Sequence, residues 1–381
     1  MTWRFVLTGG LGLVVVFLVV AAAWIISLPS ASSAGTVKPI PGEETRATVE
    51  ALKPPKRVRP LIAIVGINDG TEVTDYLMPY GILRRADIAD VVALATQPGP
   101  MALYPALKVE PQATIEDFDR QHPEGADYVI VPAMVREDDP AALGWIRNQA
   151  EKGAMIVGVC VGAKVVAAAG LLDGRKATTH WYSLDAMLRE HPSIRHVADR
   201  RFLVDGRVAT TTGISASMPM SLTLIEAIAG RQKAEAVAAD LGVANWDAQH
   251  DSGAFRFTRP FALTAIGNSL AFWGRETLGI ELSQGVDEVS LALVADAWSR
   301  TYRSRVMTFA AGADAVESRS GIRIIPDEMT ASTTRVPGAP LARKPAEALD
   351  ETLTAIAERY RENTANFVAM QLEYRRRVTP Q

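Results

Sequence analysis

Short apolar runs alternate with stretches of helical periodicity through the middle of the chain. The runs lie at residues 61–66, 91–95, 126–131 and 154–159. Such runs are typical of strands that are buried on both faces of a sheet. The intervening stretches, for example residues 74–86 and 140–152, place apolar side chains at helical spacing. Strands alternating with helices indicate an α/β fold, in which a flavodoxin-like parallel sheet is sandwiched by helices.

The fourth apolar run ends at the only cysteine in the 381-residue chain. Cys160 lies between Gly158 and Gly162, and good helix formers follow at residues 163–169. This pattern predicts a sharp strand-to-helix turn, a nucleophile elbow, that exposes the cysteine. Free N–H groups in the first helical turn favour a thiolate, so we expect a lowered pKa for Cys160. The alternative is a buried structural cysteine.

Composition and charge exclude several classes of function. Hydrophobic residues make up 48% and charged residues 22%, as in an ordinary folded protein. The net charge of −3 offers no electrostatic basis for binding nucleic acid, so we expect no such partner. A single cysteine excludes an intramolecular disulfide and a cysteine-rich zinc site. The chain also lacks HExxH, P-loop and GxGxxG motifs, so we expect no metal and no cofactor.

The N-terminus contains a long uncharged stretch. Residues 5–28 carry no charged side chain, and this length can span a hydrocarbon core of about 30 Å. We therefore expect residues 1–28 to form a membrane anchor, with a cleaved signal peptide as the alternative. Basic residues flank the span almost evenly, and we favour an extracytoplasmic, periplasmic body over a cytoplasmic one. Residues 29–59 include five prolines and are expected to be a flexible linker.

Five segments within about residues 60–243 resemble the DJ-1/ThiJ/PfpI superfamily, relatives of the class I glutamine amidotransferases. They are GTEVTDYLMPYGILRRA, ADYVIVPA, GVCVGAK, AGLLDGRKATTHW and DGRVATTTGISASMP. The resemblance is greatest to the sensor domains of AraC-type regulators, although no helix-turn-helix is recognisable. It implies that Cys160 is the reactive residue, that the carboxyl group of Asp75 contacts its sulfur, and that His180 lies nearby.

Each of these assignments has an alternative. Asp75 could serve only as a favourable acid at a helix start, with Glu72 as the second candidate carboxylate. His180 could transfer a proton, or it could be satisfied by backbone groups at the sheet edge. The remaining site candidates are amides that could stabilise an oxyanion and residues that could line the pocket. The amides are those of Val161, Gly162 and Ala133, and the pocket residues are Glu72, Thr212 and Gly213.

Two departures from the superfamily pattern bear on function. Ala133 and Met134 stand where the superfamily often has two glycines, and their backbone angles are more restricted. Val161 stands where the protease-like branch has a histidine. The second departure argues against a peptidase.

Residues 244–330 form a predicted extension that partly repeats the main domain. GVDEVSLALVADAW parallels GTEVTDYLMPYGIL, so we expect a degenerate half-repeat of the strand–helix–strand unit. The acid position falls on Ser290, or on Leu291 with a gap, and no second elbow follows. We therefore expect this half to be non-catalytic and to extend the sheet or to supply a dimer or lid surface. A helix is expected to precede it at residues 261–278.

The C-terminal part is predicted to be a linker, residues 331–345, and a long amphipathic helix, residues 346–377. The helix places its apolar residues at alternating spacings of four and three, with one polar position among them. They are Leu349, Leu353, Ile356, Tyr360, Asn363, Phe367, Met370 and Tyr374. This seam is typical of a coiled coil and predicts a homodimer. The alternative is a helix docked on its own domain.

These features support three hypotheses. The first is a cofactor-free, cysteine-dependent hydrolase, hydratase or deglycase-like enzyme that acts on a small electrophile. The second is a sensor module that binds a small molecule or detects oxidants without turnover. The third is a membrane-tethered scaffold. A fold of this class does not choose between them.

Overall fold

The structure, a computed structural model, describes residues 16–17, 19–30, 35, 37–312, 314–330, 334–338 and 340–376. The strands are β1 (Leu61–Gly66), β2 (Asp69–Glu72), β3 (Asp90–Ala95), β4 (Met101–Tyr104), β5 (Lys108–Glu110), β6 (Ala113–Thr114), β7 (Tyr128–Val131), β8 (Met155–Gly158), β9 (Lys176–Ala177), β10 (Arg195–His196), β11 (Phe202–Asp205), β12 (Val208–Thr211), β13 (Glu276–Glu281), β14 (Ser304–Phe309), β15 (Val316–Glu317), β16 (Arg323–Ile325) and β17 (Thr334–Arg335).

The helices flank these strands. They are α1 (Gly42–Ala51), α2 (Val73–Ala86), α3 (Ile115–Gln121), α4 (Pro140–Glu151), α5 (Gly162–Ala168), α6 (Trp181–Glu190), α7 (Ser217–Ala229), α8 (Arg231–Leu241), α9 (Arg259–Leu270), α10 (Glu288–Ser299), α11 (Pro345–Tyr360) and α12 (Glu362–Gln371). Single 3₁₀ turns lie at Ile214–Ala216, Ser252–Ala254, Phe272–Gly274 and Pro340–Ala342.

A seven-stranded sheet in the order β11-β12-β8-β7-β1-β3-β6 forms the centre of the main domain. All neighbouring strands in it are parallel except the β11–β12 hairpin. The predicted α/β fold and hairpin are therefore confirmed. A parallel sheet puts its strand ends, and hence its functional loops, at one edge.

Strand β1 shows why this sheet is buried on both sides. Its six residues are all buried, and alternate side chains enter different apolar clusters. Ile62 and Ile64 pack into the cluster that includes α2, α7 and α10. Leu61, Ala63 and Val65 pack into the cluster formed with α4 and α5. This two-sided burial explains the uninterrupted apolar run.

The C-terminal extension repeats the unit as expected. Strands β13 and β14 are parallel, and α10 lies between them in the chain. Strands β15 and β16 join a five-stranded sheet in the order β15-β16-β5-β4-β2. The extension thus contributes strands to a sheet built with the main domain. The helix predicted at residues 261–278 instead ends at Leu270, because residues 276–281 pair with β14.

The predicted linker at residues 29–59 holds the helix α1. Leu52 at its end is fully buried, and its carbonyl accepts a hydrogen bond from the Tyr128 hydroxyl at 2.7 Å. Arg57 binds Asp127 through its side chain. These contacts fix residues 42–57 to the domain, so this part of the chain is not a free tether.

The predicted terminal helix is two helices. Arg361 interrupts it with φ 78° and ψ 160°. The apolar seam is buried against its own chain at Leu349, Leu353, Ile356 and Phe367. The docked alternative therefore describes the structure, and the seam is not available for a coiled coil.

The proposed membrane anchor falls largely on residues 1–15 and 18, which lie outside the described residues. Within the described ranges, residues 19–27 are helical, and no helix combines the length and apolar character needed to cross a bilayer.

Candidate functional site

Cys160 occupies the predicted elbow between β8 and α5. Its φ of 56° is left-handed, which is uncommon for a residue with a side chain and typical of functional turns. The turn is held by two hydrogen bonds. The Cys160 N–H donates to the Thr211 hydroxyl at 3.0 Å, and the Thr179 hydroxyl donates to the Cys160 carbonyl at 2.9 Å. The elbow is therefore confirmed, and its conformation is held by β12 and by the loop that follows β9.

The cysteine reaches a cavity of about 480 Å³. Cys160 itself is only 4% exposed, so access to it is through this cavity. Many of the lining side chains are aromatic. They are Tyr104, Trp181, Tyr182, Phe257, Phe261, Tyr302 and Phe367. A largely apolar cavity with few polar groups is typical of a small-molecule site.

Asp75 lies at the start of α2 and is completely buried. Its Oδ2 accepts a hydrogen bond from the Ala133 N–H at 3.1 Å. Its Oδ1 has no hydrogen-bond partner among the described residues. Burial, and then the charge of Glu72, raises the pKa of Asp75 well above its usual range. Burial therefore favours the protonated form of this carboxyl group, and that form can donate a proton.

The pKa of Cys160 differs from the expectation. Burial, and then the charges of Asp75 and Glu72, raises it well above the ordinary thiol value. A hydrogen bond from the Val161 N–H lowers it, but by less. The effect of burial on the pKa of Cys160 is therefore larger than the effect of the N–H group at the helix start. The resting site therefore holds a neutral thiol, and a negative charge on Glu72, or on Asp75 when it ionises, further opposes ionisation of that thiol.

Glu72 connects the site to the C-terminal extension. It caps α2, since its Oε2 accepts hydrogen bonds from the Asp75 N–H and the Thr74 hydroxyl, each at 2.7 Å. Its Oε1 accepts a hydrogen bond from Arg300 at 2.9 Å. Arg300 also binds Asp296, whose pKa burial raises to about 7. Arg300 lines the cavity, and the sequence interpretation missed it.

His180 lines the cavity, but both ring nitrogens are bound to backbone groups. Its Nδ1 accepts the Tyr182 N–H at 3.2 Å, and its Nε2 lies 3.0 Å from the Gln371 carbonyl. These contacts require the neutral ring with a proton on Nε2. Burial lowers the pKa of His180, which also favours the neutral form. The geometry corresponds to the backbone-satisfied alternative, because neither nitrogen is free to take a proton from Cys160.

All three candidate oxyanion amides have partners within the protein. The Gly162 N–H donates to the Val159 carbonyl at 2.7 Å, and the Ala133 N–H donates to Asp75. The Val161 N–H donates to the Cys160 sulfur. The expected oxyanion hole is therefore not preformed, because closing the elbow and holding the acid use these donors.

Thr212 and Gly213 lie away from the Cys160 cavity. Thr212 lines a separate cavity of about 270 Å³. The Gly213 N–H donates to Glu373 at 2.6 Å. Glu373 also binds the His250 ring at 2.8 Å, and both side chains are buried. These contacts fasten the end of the chain against the main domain.

Comparison with known protein families matches the part of the chain that contains Cys160. A sequence profile described as the DJ-1/PfpI family matches residues 62–227. Isonitrile hydratase from Pseudomonas putida is 31% identical over 168 residues, which cover 43% of this chain and 70% of that enzyme. The chain belongs to the DJ-1/PfpI family.

Three other known proteins are similar to about half of this chain. The HTH-type transcriptional regulator CdhR from Pseudomonas aeruginosa is 31% identical over 161 residues, and the match covers 41% of this chain but 46% of the regulator. The Parkinson disease protein 7 homolog from Danio rerio is 28% identical over 185 residues, 47% of this chain and 95% of that protein. The crystal structure of Drosophila melanogaster DJ-1beta aligns with 49% of this chain and 100% of that one, at 22% identity and a TM-score of 0.44.

Metal binding has no candidate cluster in the described part of the chain. No group of three or more His, Cys, Asp or Glu side chains there is arranged to hold an ion.

Proposed function

We propose that the protein is a cofactor-free enzyme that adds water to a small electrophile, with Cys160 as nucleophile and Asp75 as proton donor. One observation carries this proposal. The thiol opens into a cavity, and the buried acid Asp75, which interacts electrostatically with the thiol, keeps one oxygen without a hydrogen-bond partner among the described residues. A protonated, unpartnered carboxyl group costs free energy, which a role in proton transfer would explain.

The raised pKa of Cys160 fits a concerted step that needs no resting thiolate. With an isocyanide as substrate, the sulfur bonds to the terminal carbon while Asp75 gives that carbon a proton and takes the thiol proton. Water then adds to the carbon and the carbon–sulfur bond breaks, which returns the thiol and releases a formamide. Positioned proton transfer of this kind typically contributes about 10²–10⁴-fold to a rate.

The cavity supports a small, largely apolar substrate. Its volume of about 480 Å³ suits a molecule of modest size. Arg300, the one cation among the described residues that line the cavity, is already paired with Glu72 and Asp296. A strongly anionic substrate would have no free counter-charge there, so a neutral electrophile fits better.

Formation of a formamide from an aliphatic isocyanide by the full chain tests the proposal. We expect turnover by the wild type and none by Cys160→Ser or Cys160→Ala. Because Cys160 is the only cysteine, residual activity in both variants would exclude thiol catalysis. A wild type inactive on isocyanides and on glyoxal-type aldehydes would argue against an enzyme of this class.

The second candidate is a sensor that binds a small molecule without turnover. The neutral, backbone-bound His180 and the occupied amides favour it, because a catalytic oxyanion site would need free donors. The similarity to a regulator also favours it. Saturable ligand binding, or clean oxidation of Cys160 to the sulfinic acid, with no turnover would support the sensor.

Tethering to a membrane through residues 5–28 and an extracytoplasmic body remain proposals. They follow from the uncharged stretch in the sequence. A reporter fused to the C-terminus would test the orientation. Fractionation of the full chain and of a form that begins at residue 37 would test the tether.

A further inference from the structure

The C-terminal extension is related to the main domain by a constant offset in sequence. Strand β13 begins 215 positions after β1, at residue 276 against 61, and α10 begins 215 positions after α2, at residue 288 against 73. Both units have the same order of parallel strand, helix and parallel strand. The repeat is therefore structural as well as sequential.

The two units face each other about an approximate twofold axis. Strand β16 pairs antiparallel with β5, and Ile324 lies opposite Val109, which is its counterpart at the same offset of 215. Equivalent residues meet in an antiparallel pair only where a twofold axis passes between them. Helix α2 also packs directly against α10, since a Cβ on Gly81 would lie 2.2 Å from Glu288. The extension thus sits as a second subunit would.

This symmetry produces the same ion pair twice. Arg300 binds Glu72, the cap of α2, at 2.9 Å. Its counterpart Arg85 binds Asp287, the cap of α10, at 3.0 Å. Both arginine side chains are largely buried, at 15% and 4% exposure respectively. The two pairs therefore make comparable contributions to the interface between the halves.

Only one of these two ion pairs lies beside a cysteine. Glu72 and Arg300 line the Cys160 cavity. At the opposite end, Ser290 occupies the position equivalent to Asp75, and its buried hydroxyl has no hydrogen-bond partner in the described part of the chain. The degenerate half has lost its own acid but has kept the arginine that reaches into the other half.

We propose that the extension is a built-in second subunit, and that Arg300 is a positioning residue that sets the reactivity of Cys160 through Glu72. The extension completes the site within one chain, a contribution that would otherwise require a second copy. Arg300 acts through Glu72, because its guanidinium binds Glu72 Oε1 at 2.9 Å and the charge of Glu72 acts on Cys160.

Electrostatics give the direction of the effect. The Glu72 charge opposes ionisation of Cys160, and Arg300 balances that charge. Without Arg300, the carboxylate faces the thiol without its cation, so the thiolate is less favoured. The other titratable groups around the thiol and Arg300 are Asp75, Glu373, Asp296, His180, Tyr104 and Tyr302.

The inference rests on Cys160 being the reactive group of the proposed function, but its test uses alkylation and not turnover. The rate of reaction of Cys160 with iodoacetamide is measured across pH in the full chain. Labelling is unambiguous because the chain has one cysteine. The variants are Arg300→Gln, Arg300→Lys and the symmetry-matched control Arg85→Gln.

We expect Arg300→Gln to slow alkylation at neutral pH by roughly threefold to tenfold and to move the profile to higher pH, since the rate follows the thiolate fraction. Arg300→Lys keeps the charge and should remain near the wild type. Arg85→Gln should lower the unfolding midpoint as Arg300→Gln does, yet leave the profile unchanged.

Equal shifts of the alkylation pH profile in Arg300→Gln and Arg85→Gln would overturn this inference but not the proposed function. They would show that either substitution loosens the interface between the two halves. An unshifted Arg300→Gln, or a shifted Arg300→Lys, would also overturn it. No alkylation of the wild type at any pH would contradict both this inference and the proposed function.

Discussion

Adding a side chain at Gly162 should strongly lower the free energy of unfolding, because the backbone of β7 lies very close to this residue. A Cβ at this position would lie 2.0 Å from the Val131 carbonyl oxygen and 2.9 Å from that of Pro132. Both are backbone atoms at the end of β7, so no side chain can rotate away. The first turn of α5 would have to move by about 1 Å to restore an ordinary contact.

Gly162→Ala should therefore fall at or beyond the upper end of the usual overpacking cost, about 3 kcal/mol. Gly144→Ala is the matched control, because it is the same change inside a helix where nothing lies within 4 Å of the new Cβ. Alanine is about 1 kcal/mol better than glycine in a helix interior, so this variant should be stabilised. The two variants should thus differ by about 4 kcal/mol.

Urea unfolding measures this difference through the midpoint and the slope. A loss of about 3 kcal/mol is a large part of the stability of an ordinary domain, so the shift will be plain. If the free energies of unfolding of Gly162→Ala and Gly144→Ala differ by less than about 0.5 kcal/mol, the elbow does not approach β7 this closely. The packing argument for the elbow would then be refuted.

Three further predictions concern buried acids and the chain end. The folded protein keeps the Asp75 proton that the unfolded chain releases, so this group stabilises the fold fully below about pH 4 and loses its contribution as pH rises through its folded-state pKa. In urea titrations across that window, the free energy of unfolding of Asp75→Asn should gain up to about 1.4 kcal/mol per pH unit relative to the wild type. Parallel curves of stability against pH would contradict this prediction. Arg361→Gly should raise the free energy of unfolding by about 1 kcal/mol, since φ 78° with ψ 160° suits only glycine; a loss of stability would refute the assigned conformation. Glu373→Ala should cost about 2–4 kcal/mol, because it leaves His250 and the Gly213 N–H unpaired; an unchanged thermal midpoint would show that these contacts are not formed.

The elements that could be predicted are those with a local pattern. Strand β1 and the elbow at Cys160 could be predicted because their conformations depend on residues next to them in the sequence. These are the apolar run in β1 and the Gly158–Gly162 segment in the elbow. The hairpin β11–β12 also follows from a short turn between two runs. Burial on both faces makes such runs unambiguous.

The features that could not be predicted depend on distant parts of the chain. Arg300 reaches Glu72 across 228 positions. The partner of His180 is the Gln371 carbonyl, 191 positions away. The lowered pKa expected for Cys160 failed because burial, which has no local pattern, outweighs the helix start.

The pairing of Cys160 with Asp75 is the central claim, and one paired measurement tests it most directly. Isocyanide turnover and Cys160 alkylation are followed in the same preparations of wild type and Asp75→Asn. Asparagine can keep the hydrogen bond from the Ala133 N–H but cannot give up a proton. The account predicts that turnover falls by at least about 100-fold while alkylation changes by less than about threefold. Retained turnover in Asp75→Asn, or an equal loss of both, would contradict it.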